Sequence, residues 1–83
     1  MAIVTLRYWA AAKEAAGAAE ETITAETLAE ALAAASGQDP RLRAVLARSS
    51  FLIDGMPVGV RATETITLSD AAVIEVLPPF AGG

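Results

Sequence analysis

The last eleven residues read Val73-Ile74-Glu75-Val76-Leu77-Pro78-Pro79-Phe80-Ala81-Gly82-Gly83. The first five form the strongest β-forming run in the chain and predict a strand over 73–77. Pro78 and Pro79 have no amide hydrogen with which to extend a ladder. Each also pushes the residue before it towards extended geometry, so the chain is expected to leave the sheet here as a flexible but locally stiffened arm. At 3.3–3.6 Å per residue, residues 78–83 reach about 20 Å when extended, enough to enter the active site of a partner. Gly82 and Gly83 carry no Cβ, so their backbone fits a channel too narrow for any side chain. The carboxylate of Gly83 is then the most accessible functional group. Frayed, glycine-bearing termini are common, but at about 7% glycine usage a closing Gly-Gly arises by chance in roughly one chain in 200.

Upstream of this strand, Ser69-Asp70 marks a turn. Phe51-Leu52-Ile53 predicts a second strand, Asp54-Gly55 a tight turn, and Val58 to Arg61 the returning partner. At the other end of the chain, Ile3 to Trp9 alternates, with Val4, Leu6 and Tyr8 on one face and Thr5 and Arg7 on the other. That pattern predicts a strand. Ala10 to Ala16 is a run of good helix formers that Gly17 can end in a left-handed conformation. Glu21 to Thr24 favours a short strand. Thr27-Leu28-Ala29-Glu30 has the form of a capping box, and Leu28, Ala31, Leu32 and Ala35 follow at helical spacing until Gly37. Asp39 and Pro40 open another helix, with Leu42, Val45 and Leu46 on its apolar side and an end near Arg48. Strands at both ends with helices between them predict an α+β domain, a mixed sheet covered on one face by helices. The domain should occupy residues 1–77 and the tail residues 78–83.

Composition narrows the chemistry. The 83 residues make one domain, and at 54% hydrophobic and 19% charged, with 20 alanines, the chain is too apolar to be disordered. With no cysteine and no histidine there is no thiolate or imidazole for metal binding, nucleophilic attack or general base work. A net charge of −4 argues against nucleic acid and anionic membrane surfaces as partners. No apolar run approaches the roughly 18 residues of a membrane span, and the basic opening of a signal peptide is missing, so a cytoplasmic protein is expected. Arg41, Arg43 and Arg48 read as a solvated helix face, Lys13 has no evident role, and Met56 and Trp9 read as packing residues.

The order of elements, with Arg7-Tyr8-Trp9-Ala10, Glu14-Ala15-Ala16-Gly17, Thr27-Leu28-Ala29-Glu30 and the Pro78-Pro79-Phe80-Ala81-Gly82-Gly83 ending, resembles the MoaD/ThiS family of ubiquitin-like sulfur carriers. The resemblance extends over essentially the whole chain and is most specific in the tail. It implies a β-grasp fold and the role of a molybdopterin synthase small subunit in molybdenum cofactor biosynthesis. An E1-like adenylyltransferase would use ATP to make an acyl-adenylate on Gly83. A sulfur donor protein would then convert it to a thiocarboxylate, which the molybdopterin synthase large subunit would present to a pterin precursor in a hetero-oligomer. On this reading Gly83 is the covalent site, Pro78, Pro79, Phe80, Ala81 and Gly82 bind the partner, and Phe80 is the candidate anchor. The chain itself binds no cofactor or metal and is a non-catalytic subunit. The same tail would serve cysteine or thiamine biosynthesis, a ubiquitin-like protein modifier, or a plain interaction module in which Gly-Gly is incidental. In one place the chain departs from the family pattern. Ala71-Ala72-Val73 replaces a Gly-Asp-Glu type of turn, so Ala71 must either accept strain or the chain must use another turn led by Ser69-Asp70.

Overall fold

In β1 (Ala2–Tyr8) buried and outward positions alternate: Ala2, Val4, Leu6 and Tyr8 face the interior, while Ile3 is exposed. The computed structural model describes residues 1–79. Trp9 is extended and leads into α1 (Ala10–Ala16), which ends where Gly17 turns left-handed at φ +74° and donates its amide to the Lys13 carbonyl at 3.0 Å. β2 (Glu20–Ala25) returns antiparallel to β1, pairing Ala25 with Ala2 and Glu20 with Arg7.

The capping box is present in part. Thr27 Oγ1 accepts the Glu30 amide at 3.2 Å and opens α2 (Leu28–Ala34). Glu30 Oε1 accepts the amide of Glu26 at 3.0 Å, one residue before the expected cap amide. The α-helix stops at Ala34, earlier than Gly37 implied, because residues 35–38 tighten into a 3₁₀ turn. α3 (Pro40–Leu46) starts as expected, with Asp39 Oδ1 accepting the Arg41 amide at 2.8 Å, and it ends two residues before Arg48.

β3 (Ser50–Ile53) and β4 (Met56–Pro57) form the hairpin, which corrects the return strand expected over Val58 to Arg61. The reason is the tightness of the turn. Asp54 and Gly55 both have positive φ, +49° and +83°, so Met56 already lies opposite Ile53. The regular strand ends at Pro57, the Val58 amide makes one further bond to the Phe51 carbonyl at 3.0 Å, and Val58 turns into the core. Met56 and Trp9 are not interior residues: Met56 is on the outermost strand and 69% exposed, and Trp9 is 46% exposed beyond the end of β1.

β5 (Val73–Leu77) spans the residues expected. The sheet order is β2-β1-β5-β3-β4, with β5 parallel to β1 and antiparallel to β3. The helices lie on one face, where Ala12, Leu28, Ala31, Leu42 and Leu46 meet Leu6, Ile74 and Val76 in the core. This is the mixed, one-side-covered sheet of a β-grasp fold. The turn before β5 settles the Ala71 question: Ala71 takes the left-handed conformation at φ +68°. Its amide donates to the Ile3 carbonyl at 2.8 Å, and the Ala72 amide donates to Ser69 at 3.1 Å. Among the described residues, no helix is long and apolar enough to cross a membrane.

Candidate functional site

The tail is launched from the middle of the sheet. β5 lies between β1 and β3, and its last ladder partner is Ser50, opposite Leu77. Two contacts brace the point of exit. The Trp9 amide donates to the Val76 carbonyl at 3.3 Å, and the Trp9 indole Nε1 donates to Glu75 Oε1 at 3.2 Å. Pro78 is half-buried and Pro79 exposed, and neither belongs to a strand, as expected of residues that cannot donate to a ladder. Phe80, Ala81, Gly82 and Gly83, the remainder of the expected site, lie outside the described residues.

Around this exit the sheet presents the face that no helix covers. Glu20, Arg7, Glu75, Leu52 and Pro57 stand in register across it, one from each strand. Arg7 pairs with Glu20 at 3.5 Å, both partly exposed, so this pair contributes little to stability and mainly sets local charge. Val73 and Leu77 flank Glu75 on β5, and both are half-buried. The outward face next to the exit is thus apolar with a carboxylate at its centre. Sequence reading missed this surface and the place of Trp9 in it. A strand such as Val73–Leu77 with apolar residues on both faces is the signal that could have found it, because an outward apolar position is otherwise expected to be polar.

The described residues include no group of three or more Asp or Glu able to hold a metal ion. Every buried side-chain polar atom among them is hydrogen-bonded; Tyr8, for example, donates its hydroxyl to Glu21 Oε1 at 2.6 Å. What the arrangement does is end the central strand β5 at Leu77 and lead the chain out of the sheet through Pro78 and Pro79, beside an apolar, partly charged face.

The model of the ThiS family matches residues 6–83. The chain is similar to the small archaeal modifier protein 1 of Methanosarcina acetivorans, with 28% identity, a TM-score of 0.83, and coverage of 100% of this chain and 98% of that one. It is also similar to a chain of the complex of subunits 1 and 2 of the molybdopterin-converting factor from Helicobacter pylori, with 26% identity, a TM-score of 0.70, and coverage of 98% and 99%. The small archaeal modifier protein 1 of Haloferax volcanii, 20% identical with a TM-score of 0.81 over 98% of this chain and 99% of that one, shares the fold. Comparison with curated protein sequences gave no match.

Proposed function

Because the chain belongs to the ThiS family, whose model spans residues 6–83, we propose that it is a sulfur carrier acting as the small subunit of a molybdopterin synthase. The observation that carries the proposal is the Gly82-Gly83 ending on an arm that starts at the central strand β5. A C-terminal carboxylate with a pKa of about 3.3–3.7 is ionised near neutrality and is a poor electrophile. Activation by an E1-like partner joins the Gly83 carboxylate to the AMP moiety of ATP and releases pyrophosphate. The terminal sulfur of a persulfide on a donor protein then attacks the acyl carbon and AMP leaves; a second thiolate of the partner attacks the donor-side sulfur of the resulting acyl disulfide, forming a disulfide on the partner and releasing the thiocarboxylate on Gly83. The large subunit accepts the tail and passes the sulfur to a pterin precursor. In this scheme the chain contributes reach, slenderness and a docking face, and its partners contribute the catalytic groups. The likeness to a chain from a complex of two molybdopterin-converting factor subunits supports a hetero-oligomer.

The whole-length likeness to a small archaeal modifier protein favours a second reading, in which activated Gly83 is joined to lysines of other proteins. Both readings begin with adenylation, and their products differ. Incubating the chain with ATP, a sulfur donor and an E1-like enzyme is expected to give an intact mass in which one oxygen is replaced by sulfur, and no such shift once Gly83 is deleted. Isopeptide-linked products without the thiocarboxylate would establish the modifier reading. An unchanged mass with an enzyme active on another carrier would overturn both.

A further inference from the structure

The helical side of the sheet is not fully closed. Between α2, α3 and the start of β3 lies a groove of about 380 Å³, with Leu32, Leu46 and Phe51 as its apolar floor and Arg43, Ser49 and Thr63 around them. Leu32 and Phe51 pack against the core and still remain half-buried, so apolar surface is left facing the groove. The polar lining is uneven. Ser49 donates its hydroxyl to the Val45 carbonyl at 2.8 Å, and Thr63 donates to Glu64 Oε2 at 3.5 Å. Arg43 is exposed, has no ion pair among the described residues, and carries five N–H donors in one plane. Arg48, also exposed, stands between the lining residues Ala47 and Ser49, and Glu64 is the one acid next in sequence to a lining residue. The wider charge pattern points the same way. Residues 40–61 hold Arg41, Arg43, Arg48 and Arg61, four of the six basic residues, and Asp54, one of the ten acidic ones. The stretch that contains α3 and β3 is therefore positive in a molecule of net charge −4.

We propose that this groove receives an acidic segment of a partner protein, with a large apolar side chain on Leu32, Leu46 and Phe51 and an adjoining Asp or Glu carboxylate on Arg43. A guanidinium meets a carboxylate with two parallel N–H bonds, and the floor removes the neighbouring apolar side chain from water. Charge selects the occupant. Two copies of this chain, each at −4, repel as they approach, so a different protein is favoured over a second copy. A nucleic acid backbone meets the same repulsion and gains nothing from an apolar floor. Phe51 stands opposite the buried Val76, on the helical side of the sheet. A segment seated there leaves the uncovered face, with Glu75 and Leu52, open to another protein. The chain is then held by one partner while its open face engages a second.

The proposal goes beyond the sulfur-carrier reading and does not depend on it. Its test uses the full-length chain labelled with nitrogen-15, with neither ATP nor sulfur donor, titrated with the synthetic peptide Asp-Glu-Asp-Leu-Phe-Glu-Asp. Amide signals are expected to shift saturably at Leu32, Arg43, Ser49 and Thr63 and to stay in place at Arg7, Leu52 and Glu75. Affinity should fall roughly tenfold or more in Arg43→Glu, which turns attraction into repulsion, and roughly threefold or more for the uncharged peptide Asn-Gln-Asn-Leu-Phe-Gln-Asn. Arg41→Glu changes the net charge equally from a position outside the lining, next to Asp39 at 3.8 Å, and should weaken binding by less than about threefold. Ala33→Trp fills the groove from an exposed lining position without altering charge and should abolish the shifts. The absence of saturable shifts up to about 1 mM peptide would overturn the proposal. So would shifts centred on the uncovered face, or equal losses from Arg41→Glu and Arg43→Glu. Shifts at the groove that grow with the chain's own concentration, without peptide, would replace the partner by a second copy. Tighter binding of an oligothymidylate at the same residues would replace it by a nucleic acid. Failure here leaves the sulfur-carrier reading standing, and a failed sulfur transfer leaves this one standing.

Discussion

Ala71 holds a backbone conformation that costs an L-residue about 1–2 kcal/mol, and no side-chain hydrogen bond of its own offsets it. The conformation is kept by its neighbours. The Ala71 amide reaches the Ile3 carbonyl, Asp70 Oδ1 accepts the Ile3 amide at 2.8 Å, and Ala72 closes onto Ser69. Ala71→Gly should therefore raise stability by about 0.5–1 kcal/mol, the relief of strain outweighing the extra freedom of the unfolded chain. The effect is read as a higher urea midpoint at unchanged slope. A lower midpoint would mean that the turn holds no strain. The sequence drew attention to this position by placing alanine where glycine is usual. The choice between strain and a different turn could not be read there, because it rests on Ile3, which lies at the other end of the chain.

At the scale of elements, local signals were legible and non-local ones were not. Gly17, the Thr27 cap and the Asp39-Pro40 opening each act within a few residues, and each was found where expected. Thr27→Ala should cost about 1 kcal/mol, since it orphans the Glu30 amide at the start of a helix of only 7 residues. Thermal unfolding would show the loss as a lower midpoint, and an unchanged midpoint would mean that water or Glu26 replaces the cap. The hairpin was harder to read. Asp54-Gly55 was recognised as a turn, but only the positive φ at both residues puts Met56 directly into the pairing opposite Ile53. Trp9 and Met56 were misread for a related reason: hydrophobicity alone does not distinguish a core position from the end of a strand or the edge of a sheet.

For the whole molecule, the proposed reactive end, Gly83, could be named from the sequence because its chemistry is that of a backbone and a carboxylate, which need no partner in the fold; it lies outside the described residues. The row Glu20, Arg7, Glu75, Leu52 and Pro57 is assembled from five strands, and it became visible only once their registers were known. The parallel pairing of β1 with β5 also has a mechanical consequence. The first residues and the tail emerge at opposite ends of two adjoining strands, so a pull on Met1 and Gly83 slides β1 against β5 and loads their hydrogen bonds together. A pull on Met1 and Glu26 instead peels Ala2 from Ala25 and breaks the β1–β2 ladder one bond at a time. Stretching single molecules between these two pairs of handles should require the larger rupture force for the first, and equal forces would refute the shear geometry. Adjoining parallel strands of this kind share a load applied at their opposite ends.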